Sequence, residues 1–581
     1  MRNSLLSTLS TFLVLALPAV IWSEDLPQIT LGGEIGAAAE ANVNRYRSAP
    51  FNSLPWLRAD LTGENATECD TQRGHSMYRP YKHYSGDISG RFIEVMAMNS
   101  RGSLDIHPAF KSLLEEVPQH QRPGGYFCAS GNIDWQKPID YAREDSAFKG
   151  GRMMPCLWGN ARLLCGLVEA SRTFPAKAVL ATMAQQLGDF YIGLIPRFCD
   201  QTRIQEYTGT GSYAPGYVTC WFPAMEGLVK LSALTREKKY LDAAVAIGAF
   251  YRQFDRLPID HAHGMLCNQV SLVLLYEATK DVSYLQWVEK RWESLVDEGY
   301  INPLGGILEK CHVSYKRDEG CAIVDWLRLN LLLGRITGNS RYWAMAERTL
   351  HNHLLQNQTP KGGFGHRSIL CDEHGPYGFE NHINESTWCC TYHGTLGFIN
   401  LRTYLVSRTD TTLTCNFALD FTSKASSSTV TSTMLPPSSI NEVARQRIQL
   451  EGLPSTVVRV RQPHWADTVT AVGIDGKMVP VENKDGYVVT AAPITQVTFT
   501  YVGGVYAEDR RCKRMPEGPV VGQPWVIGYG PKIFAVKGRS KALTTGWPVT
   551  VEALKAQGLE PFPAELRSQN CFFVLGLSKS K

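Results

Sequence analysis

Two short stretches of this 581-residue chain carry residue types that do chemistry together. One is Asn384-Glu-Ser-Thr-Trp-Cys-Cys-Thr-Tyr-His393, with the adjacent pair Cys389-Cys390. The other is Asp318-Glu-Gly-Cys-Ala322, with Glu319 two residues before Cys321. Three sulfurs and one carboxylate make a complete tetrahedral ligand set for Zn²⁺. A bound metal keeps thiolates deprotonated at neutral pH, so such a cysteine can also serve as a nucleophile. A closed structural site uses the same donors. The pair alone carries little weight: with 15 cysteines in the chain, two buried thiols or a disulfide partner explain it equally well. Cys321 shifts the balance. Glu319 and Cys321 stand at the start of an apolar helix predicted over Ala322–Leu333, where free N–H groups and the macrodipole favour anions. Residues two apart do not share a face of a regular helix. They converge on one ion only if Glu319 precedes the first turn.

A nucleophile needs an acid/base. Pro303-Leu-Gly-Gly-Ile-Leu-Glu-Lys-Cys-His312 presents Glu309 in a Gly-containing loop just before the metal element. A retaining glycosidase pairs a nucleophile with a group that protonates the leaving oxygen and then activates water. Here the Cys389 thiolate would replace one of the usual two carboxylates, and Glu309 is the candidate acid/base. A solvated loop acid is the alternative for Glu309. His312, His366 and His393 are expected on loops near the site, as partners for sugar hydroxyls. Trp158, Trp221, Trp326 and Trp388 are candidates to stack on sugar faces, with core packing as the alternative for each.

The elements that must position these residues are mostly helical. From about residue 160 to 405 a unit recurs: Leu228–Thr235 leads to Tyr240, Leu272–Thr279 to Tyr284, and Asn330–Thr337 to Tyr342. A weaker first copy runs from Leu167 through Thr173. Each unit reads as an apolar helix, a short turn and an amphipathic helix. The second helices are placed at Leu241–Phe254, Leu285–Val296 and Trp343–Leu355. Apolar helices buried on most sides and partners burying one stripe suit a double ring, and the uneven spacing of the copies disfavours a regular solenoid. The expected architecture is an (α/α)6 barrel with long insertions, Glu298–Asp318 and Gln356–Trp388, gathered at one mouth.

After about Thr409 the texture changes. Thr411–Phe417, Val457–Arg461 and Val497–Tyr501 alternate and are β-branched, so they read as strands. Asp475-Gly476 and Asp485-Gly486 are hairpin turn signals. Ser423–Ser439, rich in Ser, Thr and Pro, reads as a loop. The fold class is therefore α+β and multidomain. Its parts are a signal peptide over 1–23, a barrel with an irregular N-terminal part over 24–408, a β-sandwich over 409–505 and a β-rich region over 506–581.

Composition excludes some functions. A net charge of +4 without basic runs gives no support for nucleic-acid binding. Met1-Arg-Asn-Ser, an apolar stretch from Phe12 to Trp22 and then Ser23-Glu24-Asp25 describe a secretory signal, with cleavage expected after Ser23 and a secreted or periplasmic product. No later run is long and apolar enough to span a bilayer. Exported cysteines can pair, yet Cys156, Cys165 and Cys267 sit in helical patterns where buried free thiols are expected. Asn65, Asn357 and Asn384 begin glycosylation triplets.

The Glu-x-Cys at Glu319–Cys321, the following Cys389-Cys390 pair and the helical barrel together resemble glycoside hydrolase family 127, the bacterial β-L-arabinofuranosidases. The resemblance covers roughly residues 150 to 505. It continues into Val457-Val-Arg-Val-Arg-Gln-Pro-His-Trp465, Val472-Gly-Ile-Asp-Gly-Lys477 and Gly486-Tyr-Val-Val489. It implies an (α/α)6 barrel with β-sandwich domains, a Zn²⁺ on Glu319, Cys321, Cys389 and Cys390, and a retaining mechanism with Cys389 as nucleophile. It matches Glu309 to the acid/base only loosely. The substrate would be an oligosaccharide or glycan fragment. Thr391-Tyr392-His393 stand where the family has Pro-Pro-Asn, and two family substrate histidines have no evident counterpart near Trp221–Gly227 and Asn268. Two other classes remain: a carbohydrate-binding scaffold with a structural zinc site, and a polysaccharide lyase, which would need a Tyr/His base among basic residues.

Overall fold

The computed structural model describes residues 28–63, 84–100, 102–128, 133–137, 153–203, 220–253, 261–310, 317–370, 378–386, 389–439, 442–453, 456–515, 525–537, 549–561 and 571–573. The signal segment, Asn65, His312 and Trp388 lie outside these residues.

The recurring helical unit resolves into one local device. Thr235, Thr279 and Thr337 donate their hydroxyls to the carbonyls of Leu231, Leu275 and Leu333. The same oxygens accept the N–H groups of Glu237, Asp281 and Asn339. Between them Arg236, Lys280 and Gly338 turn the chain through left-handed conformations, with φ of 62°, 61° and 67°. The hydroxyl thus satisfies groups at the end of one helix and at the entry to the next. Tyr240, Tyr284 and Tyr342 are buried one turn on.

In chain order the helices are α1 (Gly33–Tyr46), α2 (Leu54–Thr62), α3 (Asp87–Asn99), α4 (Pro108–Glu116), α5 (Met153–Thr173), α6 (Ala178–Phe198) and α7 (Ala224–Thr235). They continue with α8 (Lys238–Tyr251), α9 (Ala262–Thr279), α10 (Val282–Asp297), α11 (Gly320–Thr337), α12 (Ser340–Thr349), α13 (Cys390–Leu405) and α14 (Val551–Ala556). Helices α3, α5, α7, α9, α11 and α13 pack each on the next, and α13 returns to α3. Outside them, α2 backs α3, α6 backs α5, α8 backs α7, α10 backs α9, α12 backs α11 and α1 backs α13. Burial follows this arrangement. Every residue of α11 from Gly320 to Gly334 is buried, whereas α10 buries only a stripe of Tyr284, Leu285, Val288, Trp292, Leu295 and Val296. Helices α3 and α5 touch backbone to backbone: a Cβ added at Gly166 would lie 2.4 Å from the Gly90 carbonyl oxygen.

The strands are β1 (Gln28–Leu31), β2 (Gly365–Leu370), β3 (Gly378–Glu385), β4 (Val406–Arg408), β5 (Thr412–Cys415), β6 (Phe421–Ala425), β7 (Ser428–Leu435), β8 (Glu442–Glu451) and β9 (Val457–Arg461). There follow β10 (Thr468–Gly473), β11 (Val481–Lys484), β12 (Tyr487–Thr490), β13 (Gln496–Val502), β14 (Tyr506–Asp509), β15 (Trp525–Tyr529), β16 (Lys532–Lys537), β17 (Leu559–Pro561) and β18 (Cys571–Phe573). One sheet runs β1-β6-β7-β8-β13-β10, a second β11-β12-β9-β5-β4, and a third β14-β15-β16-β18-β3-β2 with β17 on β16.

Three expectations change. Ser423–Ser439 carries the end of β6 and all of β7 rather than a loop. Its outward Ser and Thr mimic loop composition while Val430 and Ser432 face inward. Gln356–Trp388 contains the hairpin β2–β3, whose neighbour β18 comes from the far end of the chain, beyond the reach of local pattern. The helix expected over Trp343–Leu355 leaves α-geometry after Thr349 and continues as a π-helical turn, Leu350–Leu354. Among the described residues no disulfide forms. Cys156, Cys165 and Cys267 are buried free thiols. Asn357 is fully buried, so its triplet is closed to a glycan in the folded chain. No helix among the described residues is long and apolar enough to cross a membrane.

The helical and β regions meet through buried charge. Trp465 Nε1 donates to Glu347 Oε2 at 3.0 Å, Arg461 pairs with Glu347 at 2.9 Å, and Glu508 pairs with Arg348 and, at 3.1 Å, with His464. Burial alone would raise the Glu508 carboxyl, but Arg348 and His464 outweigh it and hold it at about 2, against an ordinary 4.5. Such a carboxylate contributes its stability in full above pH 4.5 and loses it as the pH falls toward about 2. Glu508→Gln leaves Arg348 buried beside an amide and is expected to cost roughly 3 kcal/mol in denaturant titrations at neutral pH. Over the acid window the variant should lose stability less steeply than wild type. Equal acid slopes would contradict this assignment.

Candidate active site

Glu319, Cys321, Cys389 and Cys390 come together, with one donor atom from each lying within 4.8 Å of the others. Two helix N-termini on adjacent members of the ring deliver them. Glu319 is the N-cap of α11, extended at φ −142° and ψ 126°, which is the condition for it to reach the same point as Cys321. Cys389 is the N-cap of α13 and Cys390 its first residue, so two adjacent thiols can face one point. Both helix ends turn free N–H groups and positive dipole ends toward an anionic cluster. Gly320 between the two upstream donors sits in a tight place. A Cβ there would lie 3.0 Å from Asn357 Oδ1 and 3.1 Å from Cys390 Cβ.

The residues fit a divalent ion. Cys321 Sγ lies 3.6 Å and Cys389 Sγ 3.5 Å from Cys390 Sγ. Those spacings are too long for a disulfide and close to the roughly 3.8 Å edge of a tetrahedron with Zn–S bonds near 2.3 Å. Glu319 Oε2 is buried without a hydrogen-bond partner among the described residues. Burial, with Glu309 and Cys389 nearby, pushes the Glu319 carboxyl well above its usual range. Burial likewise pushes the Cys321 and Cys390 thiols up. Cys389 goes the other way: hydrogen bonds from Cys321 and Cys390 hold it well below an ordinary thiol, and Arg91 adds to the effect. It is also the most accessible of the three, 8% exposed against 0% for Cys321 and Cys390.

A second set of residues fixes the ligand loop. Asp318, next to Glu319, is fully buried. Its Oδ1 accepts from Asn357 Nδ2 at 2.8 Å and from the Arg367 N–H at 2.7 Å, and its Oδ2 lies 3.0 Å from His353 Nε2. His353 comes from the π-helical turn. Gly306 leaves room for it, since a Cβ there would lie 1.6 Å from His353 Nδ1. Thr391 Oγ1 accepts the Phe364 N–H and donates to the Phe364 carbonyl, pinning the first turn of α13 to the strand before β2.

Glu309 reaches the rim of the cluster. Its carbonyl accepts the Ala262 N–H at 2.7 Å, its N–H donates to the Arg317 carbonyl, and Arg317 Nε donates to its carboxylate at 2.6 Å. His366 is on β2 rather than a loop, buried, and near enough for its charge to bear on Cys389. His393 is not on a loop either. It lies one turn into α13 and is fully buried, because Cys390 begins a helix that the short run Thr391-Tyr392-His393 does not announce. Trp221 lies away from the site in the aromatic core, stacked on Phe198 at 4.8 Å and tilted against Tyr191. Trp326 stacks on Trp292 in the core. Trp158 is buried beside the site, edge-on to His263 at 5.1 Å.

Several residues that sequence reasoning passed over belong here. His261, the N-cap of α9, places Nε2 3.6 Å from Glu319 Oε2. Behind the thiols, Arg91 donates from Nη1 to His393 Nδ1 at 2.7 Å and from Nη2 to His263 Nε2 at 3.0 Å, while its Nε donates to Asp87 at 2.9 Å. The far nitrogens of both histidines donate to Asp325, at 2.5 and 2.8 Å. By distance alone His263, Asp325 and His393 could also hold a metal, but the nitrogens turned away from Asp325 face Arg91. From Asp325 the network passes through Arg328 to Glu226, and from there to Arg162, Lys230 and Glu94. The signal for these residues was present in the sequence as lone charges, such as Asp325 and Arg328, within otherwise apolar helices.

The family model "Beta-L-arabinofuranosidase, GH127 catalytic domain" matches residues 80–400. The chain belongs to glycoside hydrolase family 127. Three solved structures agree in fold. A GH127 β-arabinofuranosidase is 15% identical with a TM-score of 0.60, and the match covers 88% of this chain and 85% of that one. A GH127 β-L-arabinofuranosidase from Geobacillus stearothermophilus T6 is 15% identical with a TM-score of 0.57, covering 88% and 86%. A protein described only as a glycoside hydrolase is 14% identical with a TM-score of 0.55, covering 88% and 82%. No curated protein matches. At these identities the structural likeness speaks for the fold.

Gly320→Ala tests the ligand geometry. The added methyl meets Asn357, Cys390 and Phe364 at 3.0–3.2 Å, so the variant should lose roughly 1–3 kcal/mol of stability and bind an added divalent ion more weakly than wild type, read by thermal unfolding and metal titration. Unchanged stability and metal binding would contradict the packing described.

Proposed function

We propose that this family 127 member is an exported, zinc-dependent, retaining glycoside hydrolase that uses the Cys389 thiolate as nucleophile and resembles β-L-arabinofuranosidases in specificity. The carrying observation is that three thiols and a carboxylate meet at one buried point, with Cys389 as the accessible and most acidic thiol. On this reading the closed ring of helices is an (α/α)6 barrel, its mouth is the thiol end, and the first two sheets form a β-sandwich. Residues 1–23 direct export. The substrate is a glycan fragment.

When bound, Zn²⁺ would keep the three cysteines as thiolates and protect them from oxidation. Glu319, Cys321 and Cys390 hold the ligand frame and leave Cys389 facing the substrate. The Cys389 sulfur attacks the anomeric carbon, the glycosidic C–O bond breaks, and the departing oxygen takes a proton from the Glu309 carboxyl. The Glu309 carboxylate then draws a proton from water. The water oxygen attacks the same carbon, and the electrons of the C–S bond return to Cys389. Two inversions give retention. For Glu309 to reach the leaving oxygen, Arg317 must swing aside, which its 41% exposed side chain permits. His261, 3.6 Å from Glu319, and His366 on β2 would bond sugar hydroxyls, and Trp158 would border the sugar.

Metal analysis of purified protein, with hydrolysis assays of wild type and Cys389→Ala on aryl glycosides of arabinofuranose and other sugars, tests the reading. One zinc per chain and activity that falls to background in Cys389→Ala are expected. Bound zinc without turnover of any glycoside would point to a structural site, and retained activity in Cys389→Ala would remove the thiolate nucleophile.

A further inference from the structure

Two positive charges of a zinc ion against three thiolates and a carboxylate leave two negative charges in a buried place. Among the described residues the charges that bear on Cys389 and Glu319 favourably include Arg91, Arg317 and His366. Arg317 is a partly exposed side chain already engaged by Glu309. Arg91 is different in kind. It is 1% exposed, on α3 of the helix ring, and each of its three nitrogens has a partner.

The direction is set by partners that leave no freedom. Asp325 is acceptor-only, so each histidine presents an N–H to it: His263 from Nδ1 and His393 from Nε2. Each therefore offers its other nitrogen as an acceptor. Arg91 is donor-only and fills both. Asp87 takes the third direction, through Nε, and Trp158 lies over the guanidinium at 5.8 Å from its ring centroid. Two neutral histidines are an unusual setting for a buried arginine. They fix its position without cancelling its charge, and Asp87 neutralises it in part. His393 links this cation to the cluster through the chain, since it stands one helical turn after Cys389, its backbone N–H on the Cys389 carbonyl at 3.0 Å and its ring on Arg91.

We propose that Arg91, held by His263, His393 and Asp87, is the fixed counter-cation of the zinc-thiolate site and sets its metal affinity. It is a positioning residue: it touches neither substrate nor ion and acts through the field at Cys389 and Cys321. The proposal rests on the zinc reading above. It also gives the sequence Thr391-Tyr392-His393 a purpose, because His393 is where the cation is fastened to the ligand helix.

The test is chelator competition on the zinc-loaded enzyme, measuring the zinc dissociation constant of wild type, Arg91→Met, Arg91→Lys and Asp87→Asn, with thermal unfolding of each. Arg91→Met should weaken zinc binding by about 10- to 100-fold, the usual effect of removing an outer partner of a metal site. Arg91→Lys should recover most of the loss. Asp87→Asn removes the anion paired with Arg91 and leaves more of its charge uncancelled, so it should bind zinc more tightly than wild type even if it unfolds at a lower temperature. That opposite sign separates charge from damage, and Asp87→Asn and Arg91→Lys decide the matter if Arg91→Met does not fold. Wild-type affinity in Arg91→Met, or weakening in Asp87→Asn, overturns the proposal. A wild-type protein that binds no zinc overturns the zinc reading itself.

Discussion

Four donors that are all anionic when they bind a metal have to share one buried point, and electrostatic repulsion opposes that. Bringing Cys321, Cys389, Cys390 and Glu319 together without compensation raises three of the four toward their neutral forms. The architecture around the site can be read as the compensation. Two helix N-termini face the cluster, Arg91 lies behind it and Arg317 beside it. Both oxygens of Asp318, the neighbour of Glu319, are engaged, by His353, Asn357 and the Arg367 backbone.

The same logic continues through the middle of the helix ring. Each of its six helices contributes a buried charged or titratable group: Arg91, Arg162, Glu226, His263, Asp325 and His393. Buried ions are costly unless each is paired and hydrogen-bonded. The chain Asp87–Arg91–histidines–Asp325–Arg328–Glu226 meets that condition link by link. Apolar packing alone tolerates small slips between helices, whereas such a network allows one arrangement. The four donors at the helix N-termini gain from that rigidity, since such a cluster is only as well placed as the helices that carry it.

That Glu319, Cys321, Cys389 and Cys390 come together was legible in the sequence, because these residue types are rare in combination and their spacing implies helix starts. Glu319 as an N-cap follows from the two-residue separation from Cys321. The paired helices were legible too, because Thr-to-Tyr punctuation is local. What escaped was whatever depends on distant partners. The hairpin β2–β3 joins a sheet with strands from the far end of the chain, as the register of Phe379 with Cys571 shows. His393 read as a loop residue because nothing nearby marks it as the acceptor for Arg91 on α3. Trp221 offered itself as a sugar platform by type, but only packing reveals Phe198 against its face. His261 was passed over since a lone histidine before a helix is usually a cap, and here it is both a cap and a neighbour of Glu319.

X-ray absorption at the zinc edge of the purified enzyme tests the central claim most directly, because it counts the atoms around the ion. The account predicts three sulfur scatterers near 2.3 Å and one oxygen near 2.0–2.2 Å, falling to two sulfurs in Cys321→Ser. A shell of nitrogen and oxygen alone, or a spectrum unchanged by that substitution, would contradict it.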